Sequence, residues 1–170
     1  MSHRLVARAH LISFAVLIGV IGLVGLLSWD RLNAARSARD WTMHTYEVLG
    51  TIRNLGMAVR EAEDGQRGYL LTGADADIAM YDSAVENASV MLGNLQRLTA
   101  DNPTQQQHLH ELGMGWQQRL QQLAQVIQVR RDRGLQAAAG IVGTEVGRAT
   151  SNTIMAALSD MKDEEQRLLT

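Results

Sequence analysis

The sequence has no cysteine, a single proline and few aromatic residues, and each shortage narrows the possible folds and functions. Without cysteine, the chain has no disulfide, no thiolate nucleophile and no cysteine-ligated zinc. Pro103 is the only proline, the residue type that most strongly disfavours a helix interior. Three tryptophans, three tyrosines and one phenylalanine supply few residues of high strand propensity. Alanine, leucine, glutamine, arginine and methionine are abundant, so the composition predicts an all-α protein.

Outside the first ten residues, acidic side chains outnumber basic ones. The formal net charge is −2, and Arg4 and Arg8 are the only charged residues among the first ten. The main body is therefore mildly acidic. Because nucleic-acid binding requires a basic patch that displaces counterions, we expect no nucleic acid among the partners.

One long uncharged run, residues 11–29, predicts a membrane-spanning helix. As a helix it would be about 28 Å long, which matches the hydrocarbon thickness of a bilayer. It exceeds the apolar region of a typical cleaved signal peptide, which is the competing interpretation. Arg4 and Arg8 place the N-terminus in the cytoplasm by the positive-inside rule. We thus expect a cytoplasmic stub over 1–10, a transmembrane helix over 11–30 and a periplasmic domain over 31–170.

Two amphipathic helices follow the predicted span. A heptad repeat predicts a first helix up to about Leu71, with Thr72 and Gly73 as its stop. A second helix is predicted from Asp75, as N-cap, to residues 99–101. The apolar seam of the first helix consists of Trp41, Thr45, Val48, Ile52, Leu55, Val59, Ala62, Gln66 and Tyr69. The seam of the second consists of Ile78, Tyr81, Val85, Ala88, Leu92, Leu95 and Leu98.

Two further helices complete a predicted four-helix bundle. Asn102 is the expected N-cap of the third, with Pro103 at its first position and Gln105 closing a capping box. This helix should weaken at residues 130–134 and be followed by a kink or break within the glycine-rich stretch 135–149. The fourth pattern consists of Ile154, Leu158, Met161, Glu165 and Leu168.

A dense polar cluster, Glu61 to Gly73, interrupts the first heptad and is the candidate signalling or structural motif. Gln66 and Tyr69 fall on the seam, Glu63 lies beside it, and Glu63 and Arg67 have the spacing of a favourable ion pair. The cluster is either a polar network that holds the first helix against the second and fourth helices and can repack, or a surface ion pair of little energetic weight. Its candidate residues are Glu61, Glu63, Asp64, Gln66, Arg67, Tyr69 and Thr72.

Catalytic and metal sites are not expected. The carboxylates Glu61, Glu63 and Asp64 have no nucleophile, histidine or phosphate-binding loop beside them. His108 and His110 are two residues apart, so they point to different sides of a helix, whereas metal pairs prefer spacings of three or four. We therefore predict no enzyme activity, no cofactor and no metal.

The motif EAEDGQRGYLLTG of residues 61–73 resembles the extracellular CHASE-type sensor domain of the third class. The helix that contains Tyr81, the LTADNP before the third helix and the closing DEEQRLL extend the resemblance over about 41–169. Ser151 and Asn152 stand where the family tends to have a Met-Asp pair. Family members also continue into a second membrane span and a cytoplasmic output domain, and this chain stops first.

The resemblance implies the sensory part of a dimeric receptor, such as a histidine kinase or a diguanylate cyclase, in the bacterial inner membrane. We expect a stimulus to displace the helices and so to signal to a cytoplasmic output domain. The expected partners are a second copy, the lipid bilayer and an unidentified ligand or protein. One alternative is a membrane-anchored dimerisation or partner-docking module without a small-molecule ligand. Another is a chemoreceptor-type ligand-binding domain.

Overall fold

The structure, a computed structural model, describes residues 41–142 and 145–169 together with Gly19, Trp29 and Arg39. The chain divides into two compact units, Met1–Met43 and His44–Thr170. The predicted membrane segment, 11–30, lies outside the described residues apart from Gly19 and Trp29. Among the helices that are described, none has the length and apolarity needed to cross a membrane.

Four α-helices and no strand make up the regular structure of the described residues, as the all-α prediction requires. Helix α1 covers residues 41–72. The others are α2 (Asp75–Leu98), α3 (Pro103–Ala139) and α4 (Glu145–Leu168). The connections between α1, α2 and α3 are short, as in a helical bundle.

The core draws its residues from all four helices. The heptad predicted for α1 is confirmed from Thr45 to Tyr69, because each of its positions is buried, whereas Trp41 is 47% exposed. Burial of each large aliphatic side chain contributes about 1.5–3 kcal/mol, so this seam is a main source of stability. The core includes Val48, Ile52, Leu55, Val59 and Ala62; Ala84, Ala88 and Leu95; Leu109, Leu112, Trp116 and Leu123; and Ile154, Leu158 and Met161.

The turn between α1 and α2 confirms the predicted end of α1 at Thr72 and Gly73 but corrects the predicted N-cap of α2. Gly73 adopts a left-handed conformation, φ 71°, and its N–H donates to the Tyr69 carbonyl at 2.8 Å. A helix end of this kind favours glycine because other residues are strained there. Asp75 is not the N-cap of α2, since that position belongs to Ala74, which makes no side-chain cap. The Thr72 hydroxyl instead accepts a hydrogen bond from the Ala74 N–H.

The start of α3 confirms the predicted cap and corrects the capping box. Asn102 Oδ1 accepts from the Gln105 N–H at 3.1 Å, and Pro103 occupies the first turn. The Gln105 side chain does not return to the cap. It is fully buried, and its Nε2 donates to the Met161 carbonyl at 2.9 Å and to Glu165 Oε1 at 2.8 Å. The predicted seam position of Glu165 in α4 is confirmed, because this residue is buried. The Gln105 amide provides a hydrogen bond to its carboxylate.

The predicted weakness of α3 is a kink at Gly134. This residue has φ 82° and ψ −177°, which is not helical and which only glycine adopts readily. The helix resumes and ends at Ala139, before a turn over residues 140–142. The kink brings Ala138 and Ile141 into a small second core with Leu70 and Val126. It thereby positions the turn over residues 140–142.

Candidate functional site

The candidate motif lies on α1, and the structure divides its residues between the interior and the surface. Gln66 and Tyr69 are buried, and the Glu63 side chain is 16% exposed. Four motif residues are exposed: Glu61, Asp64, Arg67 and Thr72. Glu63 contacts α3 and α4, and the exposed Thr72 contacts Asp77 of α2.

Glu63 is the centre of a polar network that joins three helices. Its Oε1 accepts from Arg119 Nε of α3 at 2.7 Å and from the Ser151 hydroxyl of α4 at 2.6 Å. The Glu63 and Arg119 side chains are each 16% exposed, so the ion pair is largely shielded from water. A shielded, charge-assisted hydrogen bond is stronger than one at the surface. Glu63 therefore fixes the position of α1 relative to α3 and α4.

The network continues along α3 and returns to α4. Arg119 Nη1 donates to Gln122 Oε1 at 3.2 Å, and Gln122 Nε2 donates to the buried Thr150 hydroxyl at 3.2 Å. Sequence reasoning missed Arg119 and Gln122. A signal was present, because Arg119 stands three residues after Trp116 and four before Leu123, which places it beside the buried face of α3.

The predicted pair of Glu63 with Arg67 is wrong. Arg67 instead contacts Asp64 at 3.2 Å, and both side chains are more than 60% exposed. Four helical residues turn through about 400°, so Glu63 and Arg67 differ in direction by roughly 40°. That difference is enough to turn Glu63 inward and leave Arg67 in solvent. An exposed pair of this kind contributes at most about 1 kcal/mol.

Two glycines of the motif allow α1 and α2 to approach closely. A Cβ at position 65 would lie 2.7 Å from the Tyr81 backbone N and 3.0 Å from the Asp77 carbonyl oxygen. A Cβ at position 68 would lie 2.6 Å from Asp77 Oδ1. Thr72 Oγ1 also contacts the Asp77 carboxylate.

The Tyr81 phenol has a perturbed pKa. Burial, and secondarily the Asp82 carboxylate, raises the pKa of this phenol above its ordinary value of 10.0, so the side chain is neutral at physiological pH.

Arg130 caps the C-terminal end of α1. Its Nε donates to the Leu70 carbonyl at 2.8 Å, which satisfies one of the carbonyls that a helix end leaves without a partner. Arg130 is half-buried, whereas the charged residues 131–133 that follow it are exposed. Arg130 reaches α1 because α3 passes that helix end before the kink at Gly134.

A cleft of about 590 Å³ opens beside the Glu63 network. Gln66 forms part of its wall, and the Gln66 Nε2 is buried without a hydrogen-bond partner. A buried donor in this state costs about 1–3 kcal/mol relative to a satisfied one. The remaining lining residues are Glu63, Arg67, Arg119, Gln122, Leu123, Gln125, Val126, Ile141, Val142, Gly147, Arg148, Ser151 and Asn152. The cleft has a size typical of small-molecule sites.

Comparison with known proteins identifies a sensory family. The family model of the CHASE3 domain matches residues 38–170. The crystal structure of the Rhodopseudomonas palustris histidine kinase HK9 sensor domain is similar, with a TM-score of 0.69 and 30% sequence identity over 73% of this chain and 97% of that chain. No curated protein matches the chain. These likenesses agree with the resemblance of the 61–73 motif to a CHASE-type sensor domain.

Proposed function

We propose that this chain, which belongs to the CHASE3 domain family, is the extracytoplasmic sensory part of a membrane-bound signal-transduction receptor. Its similarity to the sensor domain of a histidine kinase supports an output of that kind or a related one. The described residues form a helical bundle and hold no evident catalytic centre. In this proposal the chain supplies the sensing step, and a cytoplasmic output domain supplies the catalytic step.

The observation that carries the proposal is the shielded Glu63 network. It connects α1 to α4 directly through the 2.6 Å hydrogen bond of Ser151 to Glu63. A stimulus that changes this network favours a second packing of the bundle, in which α4 is displaced relative to α1. Displacements of about 1–2 Å between packed helices are a common form of signal. Packed interfaces switch between discrete arrangements, so a local change reaches the helix ends.

The uncharged run 11–29 supports the membrane anchor, with Arg4 and Arg8 on its cytoplasmic side. The proposed arrangement can be tested with single cysteines, because the native chain has none. In spheroplasts, a membrane-impermeant maleimide should label Asp101→Cys, which lies in an exposed turn, without lysis. Ser2→Cys should be labelled only after lysis. Labelling of Asp101→Cys only after lysis would place the sensory domain in the cytoplasm.

We also propose that the receptor is a homodimer with α1 at the interface. Tyr46, Met57 and Leu71 are about one half or more exposed and follow one another at nearly whole helical turns. They therefore share one face of α1, where a second copy would cover them. In membranes, Met57→Cys should form a disulfide-linked dimer on oxidation, and Ser83→Cys on the exposed side of α2 should not. Equal cross-linking of the two variants would exclude an α1 interface.

A further inference from the structure

We propose that the cleft between α1, α3 and α4 binds a small organic carboxylate with an apolar body. The identification of this ligand as the stimulus rests on the proposed sensory function, whereas the binding itself does not. Three features of the cleft support a ligand of this class: its charge, its unsatisfied buried donor and its apolar wall.

The charge of the cleft favours an anion. Its charged lining residues are three arginines and one glutamate, Glu63, which already pairs with Arg119. Arg67 has only its exposed contact with Asp64, and Arg148 adds a further exposed guanidinium. Arg119 uses its Nε and Nη1 within the protein, and a guanidinium has five N–H donors. The site therefore retains positive charge and donors for a carboxylate, which guanidinium groups bind well.

Gln66 indicates where a polar group of the ligand would bind. Its side chain is 6% exposed, and its Nε2 has no acceptor in the protein. An amide nitrogen is only a donor, so it requires an acceptor such as a carboxylate oxygen. A bound carboxylate that reached both Gln66 and Arg119 would satisfy the orphan donor and share the guanidinium with Glu63. It would thus act on the network that joins α1 to α4.

The cleft also has apolar lining residues. Leu123, Val126, Ile141 and Val142 line it, and a volume of about 590 Å³ exceeds what an inorganic anion needs. Small-molecule sites commonly combine such an apolar wall with a few polar groups that fix orientation. A phosphate or sulfate would leave this wall without a contact. An aromatic or aliphatic carboxylate would fill both parts.

The test uses the full chain in lipid nanodiscs, titrated with benzoate, phenylacetate and naphthoate and, as neutral isosteres, their amides. At least one carboxylate should raise Tm saturably, and its calorimetric affinity should exceed that of the matching amide at least tenfold. Binding should weaken as salt is added. The absence of a saturable effect with all three carboxylates, or equal binding of the amides, would overturn the proposal. Equal binding of inorganic phosphate would contradict the proposal that the ligand has an apolar body.

Two variants locate the site. Gln66→Leu should weaken binding at least tenfold while the unliganded Tm stays the same or rises, because this change removes the unsatisfied donor. Gln117→Leu is the matched control, since it lies in the other cleft, between α2 and α3, and should bind as the native chain does. Unchanged binding by Gln66→Leu would overturn the assignment. Labelling of Asp101→Cys tests the proposed function separately. A failure of ligand binding can therefore be distinguished from a failure of the proposed sensory function.

Discussion

Replacement of Glu63 by leucine is expected to lower the free energy of unfolding by about 3 kcal/mol. The change leaves the Arg119 guanidinium, 16% exposed, without its carboxylate, and loss of one partner of a buried ion pair costs about 3–5 kcal/mol. Because Arg119 retains some exposure to water, we expect a loss at the lower end of this range. Chemical denaturation of the solubilised chain, followed by circular dichroism, measures it.

The control for Glu63 lies one residue further along the same helix. Asp64→Leu removes the carboxylate of the exposed pair with Arg67 and should cost less than about 1 kcal/mol. The double variant Glu63→Leu, Arg119→Leu should recover much of the loss, because it leaves no unpaired charge behind. Equal losses for Glu63→Leu and Asp64→Leu would mean that water already solvates the Glu63 pair.

The same substitution tests the relay from α1 to α4. Spin labels at Arg60→Cys and Asp160→Cys, both on exposed positions, report the distance between these helices. If the Glu63 network selects one packing, Glu63→Leu should shift or broaden the distance distribution, with changes of about 1–2 Å expected for helix displacements. An unchanged distribution would mean that apolar packing alone fixes α4, and it would contradict the relay.

The heptad repeat predicted the buried face of α1. The second and fourth helices were predicted to meet its polar network, but Glu63 contacts α3 and α4. The α1 seam from Thr45 to Tyr69 follows from a 3.5-residue repeat, and local periodicity determines it. The partners of Glu63 are Arg119 and Ser151, which are distant in the chain. Rules for neighbours on one helix favour a nearby partner such as Arg67. The partners of Glu63 instead depend on which helices pack against α1 in the bundle.

The burial of Gln105 could have been predicted from its spacing, although the capping rule suggests a different role for it. It stands four residues before Leu109 and seven before Leu112, so its side chain belongs to the buried face of α3. The capping box assigns the same residue to the helix start. Burial prevailed because Glu165 and the Met161 carbonyl offer acceptors in the core. The cleft beside Gln66 was not predictable, since it depends on the loop around residues 141–142 as well as on three helices.

Gly65→Ala should destabilise the bundle by about 2 kcal/mol although alanine favours helices. The added Cβ would lie 2.7 Å from the Tyr81 backbone N and 3.0 Å from the Asp77 carbonyl oxygen. Backbone atoms of α2 cannot rotate away, so the two helices must separate, and overpacking of this kind costs about 1–3 kcal/mol. The better helix propensity of alanine, about 1 kcal/mol, offsets only part of the larger strain. Thermal and chemical denaturation measure the net change.

Two other glycines of α1 make this prediction specific to the contact with α2. Gly50 has no atom within 4 Å of an added Cβ, so Gly50→Ala should stabilise the chain by about 0.5–1 kcal/mol. Gly68→Ala should lie between the two, since its close neighbour is the Asp77 side chain, which can turn away at the loss of its contact with Thr72. Stabilisation by all three alanines would mean that α1 and α2 are farther apart than described. The expected order makes Gly65 the residue that sets the separation of α1 and α2.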